Sequence, residues 1–209
     1  MSRVVGRVVP AVVAVLLAVT VSACAEEEGA RPVSTMSPRE GRDRVVEFVR
    51  ESAARLDVTG WWPRSGAAGP DECGLGGGVK GASYSYDWWA PAGADVEGDA
   101  RKVADYWESL GMSVRVTDST PRPTVYGEGG PVLRASFDTG AVEDQYNIGA
   151  VMPCAPGDAE ALLLEDEAQR AAGVVLPGDE GIVLQPRPGQ LMPTSIPTSE
   201  PTAEQGASG

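Results

Sequence analysis

The segment that most constrains the fold is an uncharged, mostly apolar run of 14 residues, from Val8 to Val21, which follows Arg3 and Arg7. The run is too short to cross a bilayer as a helix, which needs roughly 20 residues, but it has the length of a signal-peptide core. We therefore predict that residues 1–23 form a signal peptide and contribute nothing to the folded domain.

The apolar run ends in the tetrapeptide Val21-Ser22-Ala23-Cys24, and the chain then becomes acidic. This tetrapeptide resembles the lipobox of bacterial lipoprotein precursors, in which an aliphatic residue and two small residues precede a cysteine. The resemblance implies cleavage before Cys24, lipidation of Cys24 and a place at the extracytoplasmic face of the cell membrane, because two or more acyl chains anchor a protein stably. The alternative is ordinary secretion with an unmodified cysteine.

The composition excludes several classes of function. The chain has no His, which excludes a Ser-His-Asp triad, a Cys-His pair and a His-based zinc site. Its formal net charge of -13 argues against nucleic-acid binding, because phosphates would be repelled. We expect no metal and no cofactor.

The two remaining cysteines fit an exported protein. Such chains meet an oxidising environment, and once Cys24 is acylated the free thiols are Cys73 and Cys154. A disulfide between them would close a loop of about 80 residues and stabilise the fold by roughly 4 kcal/mol. The alternative is two free buried thiols.

The mature chain divides into a polar tether (24–36), a globular domain (37–155), a linker with a possible short helix (156–176) and a tail (177–209). Ser37, Pro38 and Glu40 are typical of a helix start with a capping box, and apolar residues then recur at intervals of three and four to about Leu56. The tail contains six prolines and little apolar periodicity, so we predict that it is disordered.

The globular domain is predicted to be an α+β sandwich. A long loop is expected over 57–78. The remaining patterns indicate one more helix and four strands, at Val79–Trp88 (strand), Val96–Leu110 (helix capped by Gly111), Met112–Thr117, Val132–Asp138 and Gln145–Met152. The order α-β-α-β-β-β predicts a four-stranded, mainly antiparallel sheet with two helices on one face.

This order of elements resembles that of the mycobacterial LppA-like lipoproteins over about residues 37–155. The shared features are the lipobox cysteine, an amphipathic helix, a cysteine before a Gly-Ala-Ser-Tyr-Ser strand, a hairpin ending at Met152-Pro153-Cys154 and a Pro/Thr/Ser-rich tail. The resemblance implies an actinobacterial envelope lipoprotein and transfers no catalytic residue.

Two tryptophan pairs are candidate ligand-binding residues, Trp61-Trp62 and Trp88-Trp89. Aromatic rings of this kind can form a platform for a sugar, a glycan strand or an acyl chain. Adjacent residues of an extended segment face opposite ways, so we expect one tryptophan of each pair to lie in the core. The alternative is that all four serve packing and loop anchoring.

Two further motifs are weaker. Asp138-Thr139-Gly140-Ala141 resembles the catalytic turn of aspartic proteases, but the chain has no second copy, so activity would require a homodimer. A simple hairpin turn over Thr139–Asp144 is the preferred interpretation. The glycine-rich stretch 74–81 precedes a strand and lacks the residues of a phosphate loop, so we interpret it as a flexible lead-in or bulge.

Together these patterns predict a lipid-anchored, extracytoplasmic binding or envelope-associated module without enzymatic activity. Its expected partners are the membrane, through the anchor, and an envelope protein or glycan. The alternative is a carboxylate-based hydrolase, acting either through Asp138 in the manner of an aspartic protease or on a glycan.

Overall fold

The computed structural model describes residues 34–63, 67–117, 121–142 and 144–180. The predicted signal peptide, Cys24, most of the tether and most of the tail lie outside these residues. The described elements are α1 (Pro38–Ala53), β1 (Gly69–Gly76), β2 (Val79–Pro91), α2 (Val96–Ser109), β3 (Ser113–Val116), β4 (Thr124–Glu128), β5 (Arg134–Val142), β6 (Gln145–Val151) and α3 (Ala159–Ala171).

The six strands form one antiparallel sheet in the order β1-β2-β6-β5-β4-β3. The predicted α+β class is confirmed, whereas the prediction of four strands is wrong because β1 and β4 were missed. In β4 the core-facing positions are Val125 and Gly127, and an added Cβ on Gly127 would lie 2.9 Å from a carbon of Trp107. A glycine that makes room for a large neighbour does not show as apolar alternation in the sequence.

β1 replaces the second half of the predicted loop over 57–78. Half of its residues are exposed and none is buried, as expected of an edge strand, and its pairing with β2 defines it. Gly77 and Gly78, with φ of 58° and 78°, form the two-residue turn into β2, since a tight hairpin requires positive φ at both positions. The predicted bulge is present as a register shift between Gly74 and Gly76.

Both main helices begin, and α2 ends, where their local signals indicate, whereas α1 ends at Ala53 and not at about Leu56 as predicted. The Ser37 hydroxyl accepts from the backbone N–H of Glu40, whose carboxylate accepts in return from the Ser37 backbone. Gly111 follows α2 with φ of 79°, the left-handed conformation that ends a helix. None of the helices in the described ranges is long and apolar enough to cross a membrane.

All three helices lie on the same face of the sheet. α1 covers β2 and β6, α2 covers β3, β4 and β5, and Phe48 of α1 stacks on Trp107 of α2 with ring centroids 5.7 Å apart. α3, the helix considered possible in the linker 156–176, packs against β1 and β2, and its Asp166 accepts a hydrogen bond of 2.8 Å from Tyr84 of β2. The opposite face of the sheet therefore carries no helix of the described chain.

The predicted disulfide is present. Cys73 of β1 and Cys154, which follows β6, are joined with their Cα atoms 5.8 Å apart. The bond passes over Gly81 of β2, where a Cβ would lie 2.9 Å from the Cys154 sulfur and 2.5 Å from the Ala155 carbonyl oxygen. Glycine at this position therefore gives the backbone and the disulfide their close approach.

The hairpin predicted between β5 and β6 is present, but its turn does not extend over Thr139–Asp144 as predicted. β5 continues to Val142 through an irregular register, and the chain reverses only before Gln145. The polar groups that favour a turn are used inside the strand: Gly140 N–H donates to Asp138 at 2.9 Å, and the buried Thr139 hydroxyl donates to the Pro123 carbonyl at 2.7 Å.

Candidate binding site

The open face of the sheet is built from every second residue of each strand, because side chains alternate across a strand. The register places Asp87, Gly149, Ser136, Tyr126 and Arg115 in one row across five strands. A neighbouring row contains Ser85, Val151, Arg134 and Glu128.

These two rows, apart from Arg115 at the end of the first, line a groove of about 510 Å³, a volume in the range of small-molecule sites. Gly149 lies at its centre. A Cβ at this position would meet its nearest neighbour, the Asp87 Cβ, at 3.6 Å, which is an ordinary contact. The backbone therefore does not require glycine at this position, and the lack of a side chain keeps the floor of the groove low.

The groove combines both charges with an aromatic ring. The Asp87 carboxylate accepts from the Trp89 indole N–H and, at 3.5 Å, from the Asn147 amide. On the other side, the Tyr126 ring lines the groove, and Arg115, which does not line it, holds its guanidinium 4.5 Å from the centroid of this ring, a distance typical of a cation–π contact. Arg134 is exposed at the edge of the groove. The groove thus offers hydrogen-bond donors and acceptors on both sides.

The four predicted tryptophans divide between the two faces. Trp61 and Trp88 stack with centroids 6.0 Å apart and pack against the core on the helix side. Trp62 and Trp89 exchange backbone hydrogen bonds of 2.8 Å, and residues paired in this way share a face. Trp62 and Trp89 therefore lie on the open side of the sheet.

Asp138 lies in the row next to the groove. The register places Trp89, Asn147, Asp138 and Thr124 side by side across four strands. Sequence reasoning identified Trp89 and Asp138 as separate candidates, and the structure brings them into one row. It missed the groove residues Asp87, Tyr126, Arg134 and Ser136, because their common row depends on strand order.

Two buried carboxylates on the helix side have structural partners. Asp166 accepts from Tyr84, Arg39 and, at 3.5 Å, Arg42. Burial, reinforced by the hydrogen bond to Asp166, raises the pKa of Tyr84 to about 12. Asp99 accepts from Tyr146 at 3.0 Å, and burial together with this bond also raises the pKa of Tyr146.

Across the described ranges, no group of three or more His, Cys, Asp or Glu side chains is arranged to hold a metal ion.

No protein-family model matches the chain, and no curated protein matches it in sequence. Among solved structures, it is similar to the crystal structure of a DUF4853 family protein from Actinomyces odontolyticus, an actinobacterium. The two share 16% sequence identity with a TM-score of 0.46, over 59% of this chain and 71% of that chain. A similarity at this level concerns the arrangement of the elements and carries no information on function.

Proposed function

We propose that this protein is a non-enzymatic, lipid-anchored binding protein of the cell envelope that holds a glycan on the open face of its sheet. The observation that carries the proposal is the groove of about 510 Å³ across four strands, with Gly149 on its floor and polar side chains on both sides. The size suits one or a few sugar rings.

A glycan matches the chemistry of the groove better than a charged ligand does. Sugar hydroxyls both donate and accept, and the groove presents carboxylates at Asp87 and Glu128, a guanidinium at Arg134 and a hydroxyl at Ser136. The ring of Tyr126 supplies an apolar surface beside these groups. A strongly anionic ligand is disfavoured by the net charge of -13.

Filling the groove is expected to weaken glycan binding. In Gly149→Val the side chain projects into the groove, and the contacts of its Cβ are ordinary, so the fold should persist. We expect the Kd for chitohexaose or a soluble peptidoglycan fragment, measured by isothermal titration calorimetry, to rise about tenfold or more, corresponding to roughly 1.4 kcal/mol.

Gly74→Val is the matched control, because Gly74 lies on edge strand β1 and an added Cβ meets no atom within 4 Å. This variant should bind as the unaltered protein does. Equal affinity of the Gly149→Val variant, or no binding of either probe by the unaltered protein, would contradict the proposal. The hydrolase alternative is tested by analysing the probe after incubation with the protein. Probe that is cleaved by the unaltered protein but not by Asp138→Asn would favour hydrolysis, whereas probe recovered intact favours binding.

The proposed anchor follows from the lipobox at Cys24 and from the resemblance to the LppA-like lipoproteins. We expect the intact mass of the protein purified from membranes to correspond to a chain that begins at Cys24 and carries added acyl mass. A thiol label should add to two cysteines only after reduction. An unacylated mass, or a Cys24→Ala variant that is still processed and retained in the membrane, would contradict the anchor.

A further inference from the structure

A second cluster of polar side chains lies on the helix side of the sheet, away from the groove. Tyr86 is only 3% exposed; the Arg50 guanidinium lies close enough to its hydroxyl to interact with it, but the hydroxyl makes no bond of good hydrogen-bond geometry within the described residues. The buried Nε of Arg50 and the buried indole N–H of Trp88 likewise make no such bond within these residues. Buried donors without partners are uncommon and cost about 1–3 kcal/mol each.

The three side chains are neighbours. The Arg50 guanidinium carbon lies 5.5 Å from the ring centroid of Trp88, and the rings of Tyr86 and Trp88 have centroids 6.5 Å apart. Arg50 and the indole can only donate hydrogen bonds, and the tyrosine hydroxyl can donate as well. A cluster of donors around a guanidinium has the chemistry of a site for an anion.

The acceptor that Arg50 does have comes from the end of the described chain. Both terminal nitrogens of its guanidinium bind the carboxylate of Glu180, one of them at 3.2 Å and the other more closely. Burial alone would raise the pKa of Glu180, but the hydrogen bonds from Arg50 outweigh it and hold this pKa below its ordinary value.

The residues around Glu180 cover the cluster as a strap, defined here as residues 176–180. A Cβ on Gly178 would lie 3.1 Å from the Tyr86 ring, and Leu176 is buried. The strap is fastened by Asp179, which accepts from Arg170 of α3 at 3.0 Å. The Glu180 carboxylate also accepts a hydrogen bond from the Gly178 backbone N–H within the strap, and its described ion pair is with Arg50.

We propose that Arg50, Tyr86 and Trp88 form a carboxylate-binding site, and that Glu180 occupies it as an internal ligand that an external carboxylate can replace. A fork of two guanidinium nitrogens on two carboxylate oxygens is the geometry by which arginine recognises carboxylates. The Trp88 ring lies next to this guanidinium and the Tyr86 ring lies next to Trp88, so a ligand that enters further than the Glu180 side chain does would meet their buried donors.

The attachment of Glu180 to the same chain explains why the site is closed in the unaltered protein. A ligand attached by a short chain competes at an effective concentration in the millimolar range or above. A free carboxylate should therefore bind weakly until Glu180 is removed. The site lies on the other face of the sheet from the groove, so its test is independent of the glycan proposal.

The experiment titrates Glu180→Ala with acetate and with N-acetylglutamate amide, using the indole N–H resonance of Trp88 as the reporter, assigned through Trp88→Phe. We expect a saturable shift of this resonance, with an apparent affinity about tenfold or more above that of the unaltered protein, because the internal competitor is gone. Binding of both probes indicates that a carboxylate alone suffices, and binding of the glutamate derivative alone indicates an acidic peptide side chain.

Glu165→Ala is the matched control. Glu165 also pairs with an arginine of α1, and the arginine side chains in the two pairs are equally exposed, at 32%. This variant should behave as the unaltered protein does, and adding Arg50→Gln to Glu180→Ala should remove the shift. If Glu180→Ala does not fold, Glu180→Gln keeps the shape of the side chain and takes its place. A folded variant whose Trp88 resonance does not move with either probe would overturn the proposal.

Discussion

Replacement of Asp166 by asparagine is expected to lower the free energy of unfolding by about 3–5 kcal/mol. The Asp166 side chain is fully buried and accepts from Arg39 at 2.6 Å, from Tyr84 at 2.8 Å and from Arg42 at 3.5 Å. Asparagine loses the negative charge that Oδ1 presents to both arginines, and its amide nitrogen, placed at Oδ2, faces the Tyr84 hydroxyl. Among the described residues, Arg42, itself 7% exposed, would then keep only the exposed Asp43 as a counter-ion.

Equilibrium unfolding in urea measures this loss, and Glu165→Gln provides the control. Glu165 binds the same Arg39 at 2.6 Å, but its side chain is 62% exposed. Exposed pairs contribute little, so the control should change the free energy of unfolding by no more than about 1 kcal/mol. Equal losses of unfolding free energy in the two variants would show that burial of Asp166 does not determine how much its ion pairs stabilise the fold.

Removal of the disulfide by the double change Cys73→Ala and Cys154→Ala is expected to lower the free energy of unfolding by about 4 kcal/mol. The bond joins residues 81 positions apart, and without it the unfolded chain regains the entropy of that loop. Edge strand β1 has no buried residue, so apolar burial holds it only weakly to the sheet.

Urea unfolding with and without reductant tests this prediction. The reduced unaltered protein should resemble the double variant, and the double variant should not respond to reductant. A loss below about 1 kcal/mol would contradict the loop-entropy account and would indicate a compact unfolded state.

Several elements could be predicted because their determinants are close together in the chain. The capping box of α1 lies within Ser37–Glu40, and the end of α2 depends on Gly111 alone. The disulfide could be predicted from the oxidising environment expected of an exported protein and from the two cysteines that remain besides Cys24. For the strands, β2, β5 and β6 alternate in the sequence because one of their faces is buried.

Other features could not be predicted from the sequence, because residues far away in the chain determine them. Gly127 makes β4 look irregular, and its reason is the Trp107 ring of another element. β1 carries few strand-forming side chains, and backbone pairing with β2 makes it a strand. Asp138 and Thr139 have the composition of a turn, but a hydrogen bond to Pro123 keeps this part of the chain in β5.

The sequence by itself determined where helices start and stop, which residues are apolar, which cysteines can pair and which chemistries are excluded, because each depends on composition or on a few consecutive residues. The tertiary structure decided the strand order, the groove around Gly149, the faces of the tryptophans and the partners of Asp166 and Glu180. These depend on register and on contacts between residues as far apart as Arg39 and Asp166 or Arg50 and Glu180, separated by 127 and 130 positions. No local pattern encodes such pairs, because packing of the whole domain selects them.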